Sequence, residues 1–80
     1  MASDKMKVRQ VPATTLKPGD IFFDISGEMA KIVFRANTSA PGKVGFSCID
    51  SDGLPCLVTF DKHQAVTKVT DRRVIGPQEA

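Results

Sequence analysis

The chain has 80 residues, of which 41% are hydrophobic and 25% are charged, and its formal net charge is +2. This length allows one small domain with a thin core, and the hydrophobic fraction is too high for a disordered chain. No apolar run is long enough to span a bilayer, and the N-terminus lacks the apolar segment of a signal peptide, so the sequence predicts a cytoplasmic protein without a membrane partner.

Alternation of polar and apolar residues predicts three strands in the first half of the chain, at residues 5–11, 21–25 and 29–36. Between the first two, Leu16-Lys17-Pro18-Gly19-Asp20 predicts a type II turn, because Pro18 fixes φ at the second turn position and Gly19 accepts a positive φ at the third. The side chains expected to face inward in the second and third strands are Ile21, Phe23, Ile25, Ala30, Ile32 and Phe34.

The stretch from Lys43 to Phe60 predicts one β-hairpin around the turn Ser51-Asp52-Gly53. A two-residue loop would place Phe46 opposite Thr59. A three-residue loop places it opposite Val58 and also sets Cys48 opposite Cys56. We favour the three-residue loop because it gives one continuous apolar face, which a slip of one residue would turn to water.

After the hairpin, residues 61–65 predict a single 3₁₀ turn with Asp61 as its cap, followed by a last strand at residues 66–70. The predicted division is a flexible N-terminus at residues 1–4, a small β-barrel domain at residues 5–70 and a C-terminal tail at residues 71–80. The expected fold class is therefore all-β.

A family resemblance supports this fold. The Leu16–Asp20 turn, leading into an aromatic strand and then into the turn at Gly27, resembles the opening of SH3-like small β-barrels, which are common among phage and bacterial accessory proteins. The resemblance covers residues 16–69 and implies an antiparallel barrel of about five or six strands with a central hairpin. SH3-like domains that bind proline-rich peptides use clustered Tyr and Trp, and this chain has neither, so that activity is not implied.

Candidate chemical groups are few. Cys48, Cys56, His63 and Asp61 could supply zinc ligands, but they lack the Cys-x-x-Cys spacing of structural zinc sites. Inward-facing cysteines in a strand are more often buried apolar groups. No nucleophile motif accompanies the single histidine. We therefore expect no enzyme activity, no metal and no cofactor.

The predicted strands leave apolar residues on their outward side as well. These predict a docking face for another protein, with an apolar centre and a basic rim, and the same face would also allow self-association. Two alternatives stay open: a bent strand can bury both of its faces, or Val74 and Ile75 of the tail can cover the patch. The residues predicted to bind a partner are Phe22, Val33, Ile49, Leu57, Lys31 and Arg35.

A second hypothesis is direct binding of nucleic acid, with basic residues on phosphates and Phe22 stacked on a base. A net charge of +2 is low for such a protein, and no series of aromatic residues accompanies the basic ones. We therefore favour a non-enzymatic accessory or inhibitory protein that docks on another protein. The residues of the nucleic-acid hypothesis are Lys5, Lys7, Arg9, Lys31, Arg35, Arg72 and Arg73.

Overall fold

A computed structural model describes residues 6–38 and 40–80. In these residues, six antiparallel strands form one sheet in the order β1-β6-β2-β3-β4-β5, which confirms the predicted all-β class. The sheet is open, with β1 and β5 at its two edges. The strands are β1 (Val8–Pro12), β2 (Ile21–Phe23), β3 (Met29–Ala36), β4 (Lys43–Ile49), β5 (Pro55–Asp61) and β6 (Ala65–Val69).

Helix is almost absent from the part of the chain that the structure describes. It consists there of one 3₁₀ turn, Ala13–Thr15, so no helix in this part is long and apolar enough to cross a membrane. At residues 61–65, where one 3₁₀ turn capped by Asp61 was predicted, there is a single i→i+3 turn that does not extend into a 3₁₀ helix, and the Asp61 carboxylate pairs with Lys43 instead of capping it. That connection is a simple turn, closed by the Gln64 N–H donating to the Asp61 carbonyl at 3.0 Å. The two connections meet where the Ala13 N–H donates to the Gln64 carbonyl at 2.9 Å.

The turn before β2 is confirmed. The Asp20 N–H donates to the Lys17 carbonyl at 3.0 Å, and Gly19 has φ +92°. The Asp20 carboxylate accepts the Lys17 N–H at 2.8 Å and lies 3.5 Å from the Lys68 ammonium of β6. The turn is therefore tied to the neighbouring strand as well as closed on itself.

The β4–β5 hairpin has the predicted three-residue register. Phe46 is paired with Val58, and Cys48 with Cys56. The Asp50 N–H donates to the Leu54 carbonyl at 2.8 Å, and the Asp50 carboxylate accepts the Leu54 N–H at 2.9 Å. The apolar residues of both strands consequently share one side of the sheet.

The sheet curves around a core on its concave side. Phe22 of β2 and Phe60 of β5 meet edge to face, with ring centroids 5.7 Å apart, although two strands lie between β2 and β5 in the sheet. This contact requires strong curvature. The largest side chains that are less than 2% exposed are Phe22, Phe46, Ile32, Val44 and Cys48.

The orientation predicted for the strand at residues 21–25 is wrong. Phe22, expected to face outward, is fully buried, and its neighbour Ile21 lies on the convex side, paired with Lys31. The strand is shorter than predicted, so Ile25 falls in the following turn and is 98% exposed. Ile21, Phe22 and Phe23 are all apolar, so alternation does not show which side of this strand faces the core. Because Ile25 was counted as part of the strand, the side with Ile21 and Ile25 was assigned to the core.

The orientation of Phe34 was also predicted wrongly. Ile32 is paired with Cys48, but Phe34 is paired with Ser47, so an irregularity in β3 interrupts the alternation between them. Such a bulge re-aims every side chain that follows it. Phe34 is 54% exposed as a result.

Residues 71–80 form no strand but pack against the sheet. The Asp71 side chain is 7% exposed and accepts hydrogen bonds from the Arg73 guanidinium at 2.7 and 3.0 Å. A Cβ placed on Gly76 would lie 2.7 Å from the Ile21 side chain, which shows how closely the segment passes over the convex side. At its end, the Ala80 N–H donates to the Gly53 carbonyl at 3.0 Å. The predicted flexible N-terminus, residues 1–4, lies outside the described residues.

Candidate protein-docking surface

Apolar side chains gather on the convex side of β3, β4 and β5. Directly paired residues of neighbouring strands share a face. The pairing therefore gives two parallel rows, Phe34–Ser47–Leu57 and Lys31–Ile49–Pro55. Val33 lies in the irregular part of β3. We define the outer apolar patch as Val33, Phe34, Ile49, Pro55 and Leu57.

The outer apolar patch is open to solvent. Its exposed fractions reach 44% at Val33, 54% at Phe34 and 70% at Leu57, while Ile49 is half-buried. Four of its residues line a shallow hollow of about 230 Å³, which Glu79 borders; those four are Val33, Phe34, Ile49 and Pro55. Exposed apolar side chains that form one group, rather than single scattered ones, are typical of interaction surfaces.

The structure brings together three of the four apolar residues predicted to bind a partner, Val33, Ile49 and Leu57. It does not bring Phe22 to them, because Phe22 is buried in the core against Phe60. The aromatic residue of the patch is instead Phe34, which was predicted to face inward. Its exposure follows from the irregularity in β3, which no glycine or proline announces.

The C-terminal segment leaves most of the patch uncovered. Ile75, considered as a cover, is itself 71% exposed, and both Phe34 and Leu57 stay exposed beside the docked segment. The segment instead meets the hairpin turn at Gly53. Val74 and Ile75 therefore do not cover the patch, and its apolar residues are not explained by contact with the C-terminal segment.

The predicted basic rim is smaller than expected. Lys31 lies in the row of the patch, paired with Ile49. Arg35 is exposed but paired with Phe46, a core residue, which places it on the other side of β3. The outer apolar patch thus has one basic neighbour, Lys31, from the two that were predicted.

The basic residues of the nucleic-acid hypothesis do not share one surface. Arg9 is paired with Lys68, which in turn faces Phe22, whereas Lys31 lies on the convex side. The Arg73 guanidinium is held by Asp71, which raises its pKa. Lys5 lies outside the described residues. The remaining members of the set are on an edge strand or in the C-terminal segment: Lys7 beside β1, and Arg72 next to Arg73. Buried Phe22 offers no face for stacking.

The two cysteines are free thiols that face each other across the hairpin. Burial raises the pKa of the Cys48 thiol to about 12, and burial also raises the pKa of Cys56. Thiols with raised pKa values are weak nucleophiles and weak metal ligands near neutral pH. Within residues 6–38 and 40–80, no group of three or more His, Cys, Asp or Glu side chains is arranged to hold a metal ion.

Comparison with models of known protein families, with curated proteins and with solved structures finds no match for this chain.

Proposed function

We propose that this chain is a non-enzymatic binding protein that docks on another protein through the outer apolar patch. The observation that carries the proposal is the position of the exposed apolar group. The core is completed on the concave side, yet Phe34 and Leu57 lie together in solvent on the convex side. A second set of apolar residues that adds nothing to the core is best explained by contact with a partner.

The proposed architecture is an SH3-like small barrel that is incompletely closed, with β1 and β5 as its free edges. The strong curvature of the sheet and the Leu16–Asp20 turn support it. With that resemblance comes the further proposal of an accessory or inhibitory role in the cytoplasm of a bacterium or of a phage-infected cell. Fold alone does not define function, so this role depends on analogy, whereas the docking surface depends on the geometry of the patch.

The partner that fits this surface is itself apolar at the contact. The five residues of the patch are uncharged, Lys31 lies at one border of the patch, and Glu79 borders its hollow. Lys43, at the start of β4, forms an exposed ion pair with Asp61 across the hairpin. We expect an apolar partner surface with an acidic group placed to meet Lys31. Long-range attraction contributes little to such a contact.

Affinity capture with matched variants tests the proposal. Immobilised wild-type protein is compared with Leu57→Asp and with Ile25→Ser, which also alters an exposed apolar residue but lies outside the patch. We expect proteins that are retained by the wild type and by Ile25→Ser and lost from Leu57→Asp. Retained proteins that are indifferent to Leu57→Asp would contradict the proposal.

The same experiment separates the nucleic-acid hypothesis. Phosphate binding by Lys and Arg weakens steeply as salt rises, whereas an apolar contact weakens little. Retention that disappears on nuclease treatment, or that falls steeply with salt, would replace protein docking by binding of nucleic acid.

A further inference from the structure

The strand β5 lies at an edge of the sheet, and its hydrogen-bonding side away from β4 is open. The bond between Asp50 and Leu54 fixes which residues face that side. Bonded and non-bonded pairs alternate in an antiparallel ladder, so Cys56 and Val58 bond to β4, while Leu57 and Thr59 direct their N–H and C=O groups outward. Pro55, which has no N–H, falls at a non-bonded pair, as an edge strand requires.

These outward groups are accessible. Leu57 is 70% exposed and Thr59 is also exposed. In the part of the chain that the structure describes, no neighbouring strand lies beyond β5. The open stretch ends at Asp61, whose N–H donates to the Gln64 side-chain oxygen at 3.3 Å.

The two edges of the sheet differ in their protection. Strand β1 carries Arg9, follows Lys7 and ends at Pro12, and charges and proline are the usual means of preventing edge pairing. The open part of β5 is the uncharged run Cys56-Leu57-Val58-Thr59-Phe60, without proline or glycine. Its composition, rich in apolar and β-branched residues, favours strand pairing.

We propose that β5 pairs with β5 of a second copy of this chain, antiparallel and about a two-fold axis at Val58. Leu57 then lies opposite Thr59 of the second copy, and the two residues exchange both main-chain hydrogen bonds. Because the pair occurs twice, the contact contains four such bonds. No like charges are brought together. The same operation on β1 would place Arg9 opposite its own copy, which is unfavourable.

This pairing extends the sheet across both copies and sets their outer apolar patches side by side on one convex surface. It does not depend on the proposed function, and either can fail while the other holds. One short strand from each copy buries little surface, so the dimer belongs to the weak end of specific associations.

Sedimentation and amide exchange together test the proposal. We expect the mass to rise from the 8.6 kDa of one chain towards twice that value as the protein concentration is raised to about 1 mM. Over the same range, exchange of the Leu57 and Thr59 amides should slow at least tenfold, while the Val58 amide, already bonded to β4, should not change. A chain that stays monomeric, or a dimer in which these two amides exchange unchanged, would overturn the proposal.

Two proline variants provide the matched comparison. Thr59→Pro removes an outward N–H from β5, and Val8→Pro removes an outward N–H from the other edge strand, because the Thr70–Lys7 bond places Val8 at a non-bonded pair. With folding verified by circular dichroism, we expect Thr59→Pro to weaken the dimer at least tenfold and Val8→Pro to leave it intact. The reverse result would assign the dimer to β1 and contradict the proposal.

Discussion

Phe22 and Phe34 offer the clearest test of which side of the sheet forms the core. Both are phenylalanines in neighbouring strands, and both were assigned to the wrong side from the sequence. Replacing each with Ala removes the same atoms from opposite sides of the sheet. The structure therefore predicts very different losses of stability for one and the same chemical change.

The expected magnitudes follow from burial. Phe22 is fully buried and meets Phe60 edge to face. Its replacement by Ala should lower the free energy of unfolding by about 3–5 kcal/mol, including the loss of the aromatic pair. Phe34 is 54% exposed, so Phe34→Ala loses roughly half of a buried phenylalanine's transfer energy, about 1 kcal/mol, and leaves no enclosed cavity.

Urea unfolding followed by far-ultraviolet circular dichroism measures both values, since the chain has no Trp or Tyr to report by fluorescence. For a domain of this size, a difference of about 3 kcal/mol corresponds to more than 10 °C in Tm. Equal losses for the two variants, or a larger loss for Phe34→Ala, would refute the assignment of concave and convex sides.

Three further predictions concern the hairpin turn, the thiols and the C-terminal segment. Gly53→Ala should cost about 1–3 kcal/mol in urea unfolding, because the residue has φ +80° and a Cβ there would overlap the Gln78 carbonyl oxygen. Stability should fall as pH rises from 9.0 towards 12, by at most about 1.4 kcal/mol per pH unit, because the pKa of Cys48 is raised to about 12 in the folded protein. Cys48→Ala should lack this alkaline loss, and an unchanged slope would contradict the burial of the thiol. Hydrogen bonds from the Arg73 side chain hold the pKa of Asp71 below its ordinary value of 3.8. The ionised Asp71 carboxylate therefore stabilises the folded protein above pH 3.8, and this stabilisation is lost as the pH falls below that value. In urea unfolding at a series of acid pH values, Asp71→Asn should reduce the loss of stability below pH 3.8. An unaltered loss would show that Asp71 does not anchor the C-terminal segment.

The parts of the fold predicted correctly are those in which two independent signals agree. In the β4–β5 hairpin, the turn residues Asp52 and Gly53 and the alternation on both flanking strands select one register, and the structure has that register. The Leu16–Asp20 turn is similar, because Pro18 and Gly19 each restrict the backbone in the same sense.

The errors occur where a strand carries only one signal or where tertiary contacts override it. In β2, the run Ile21-Phe22-Phe23 has no polar residue to mark a side, and the C-terminal segment buries Ile21 on the side that was expected to face the core. In β3, the irregularity after Ile32 has no marker in the sequence. Because of these two errors, the predicted docking surface included Phe22, which is buried in the core, and lacked Phe34, which is exposed.

The docking surface also depends on long-range features that local patterns do not contain. Val33, Ile49 and Leu57 were grouped correctly because they follow the strand alternation near the hairpin. The reduced basic rim, in contrast, follows from the register between β3 and β4, which places Arg35 opposite Phe46. That pairing follows the irregularity between Ile32 and Phe34, which shifts the register by one residue and has no marker in the sequence.

Titration calorimetry with a captured partner tests the central claim most directly. The affinities of four proteins are compared: wild type, Leu57→Asp, Phe34→Ser and the double variant Lys31→Ala/Arg35→Ala. We expect Leu57→Asp to weaken binding by about 2 kcal/mol, roughly thirtyfold, because it places a charge at the centre of an apolar contact. Phe34→Ser should act in the same direction. The double charge variant should act less, since Arg35 lies on the other side of β3 and Lys31, at the border of the patch, affects association rate more than affinity.

Folding must be verified for each variant in the same buffer. Leu57 is 70% exposed, so Leu57→Asp should change the urea midpoint far less than Phe22→Ala. A folded Leu57→Asp protein with reduced affinity is the result that this account predicts. A Leu57→Asp protein that binds as the wild type does, while loss of Lys31 and Arg35 abolishes binding, would contradict it.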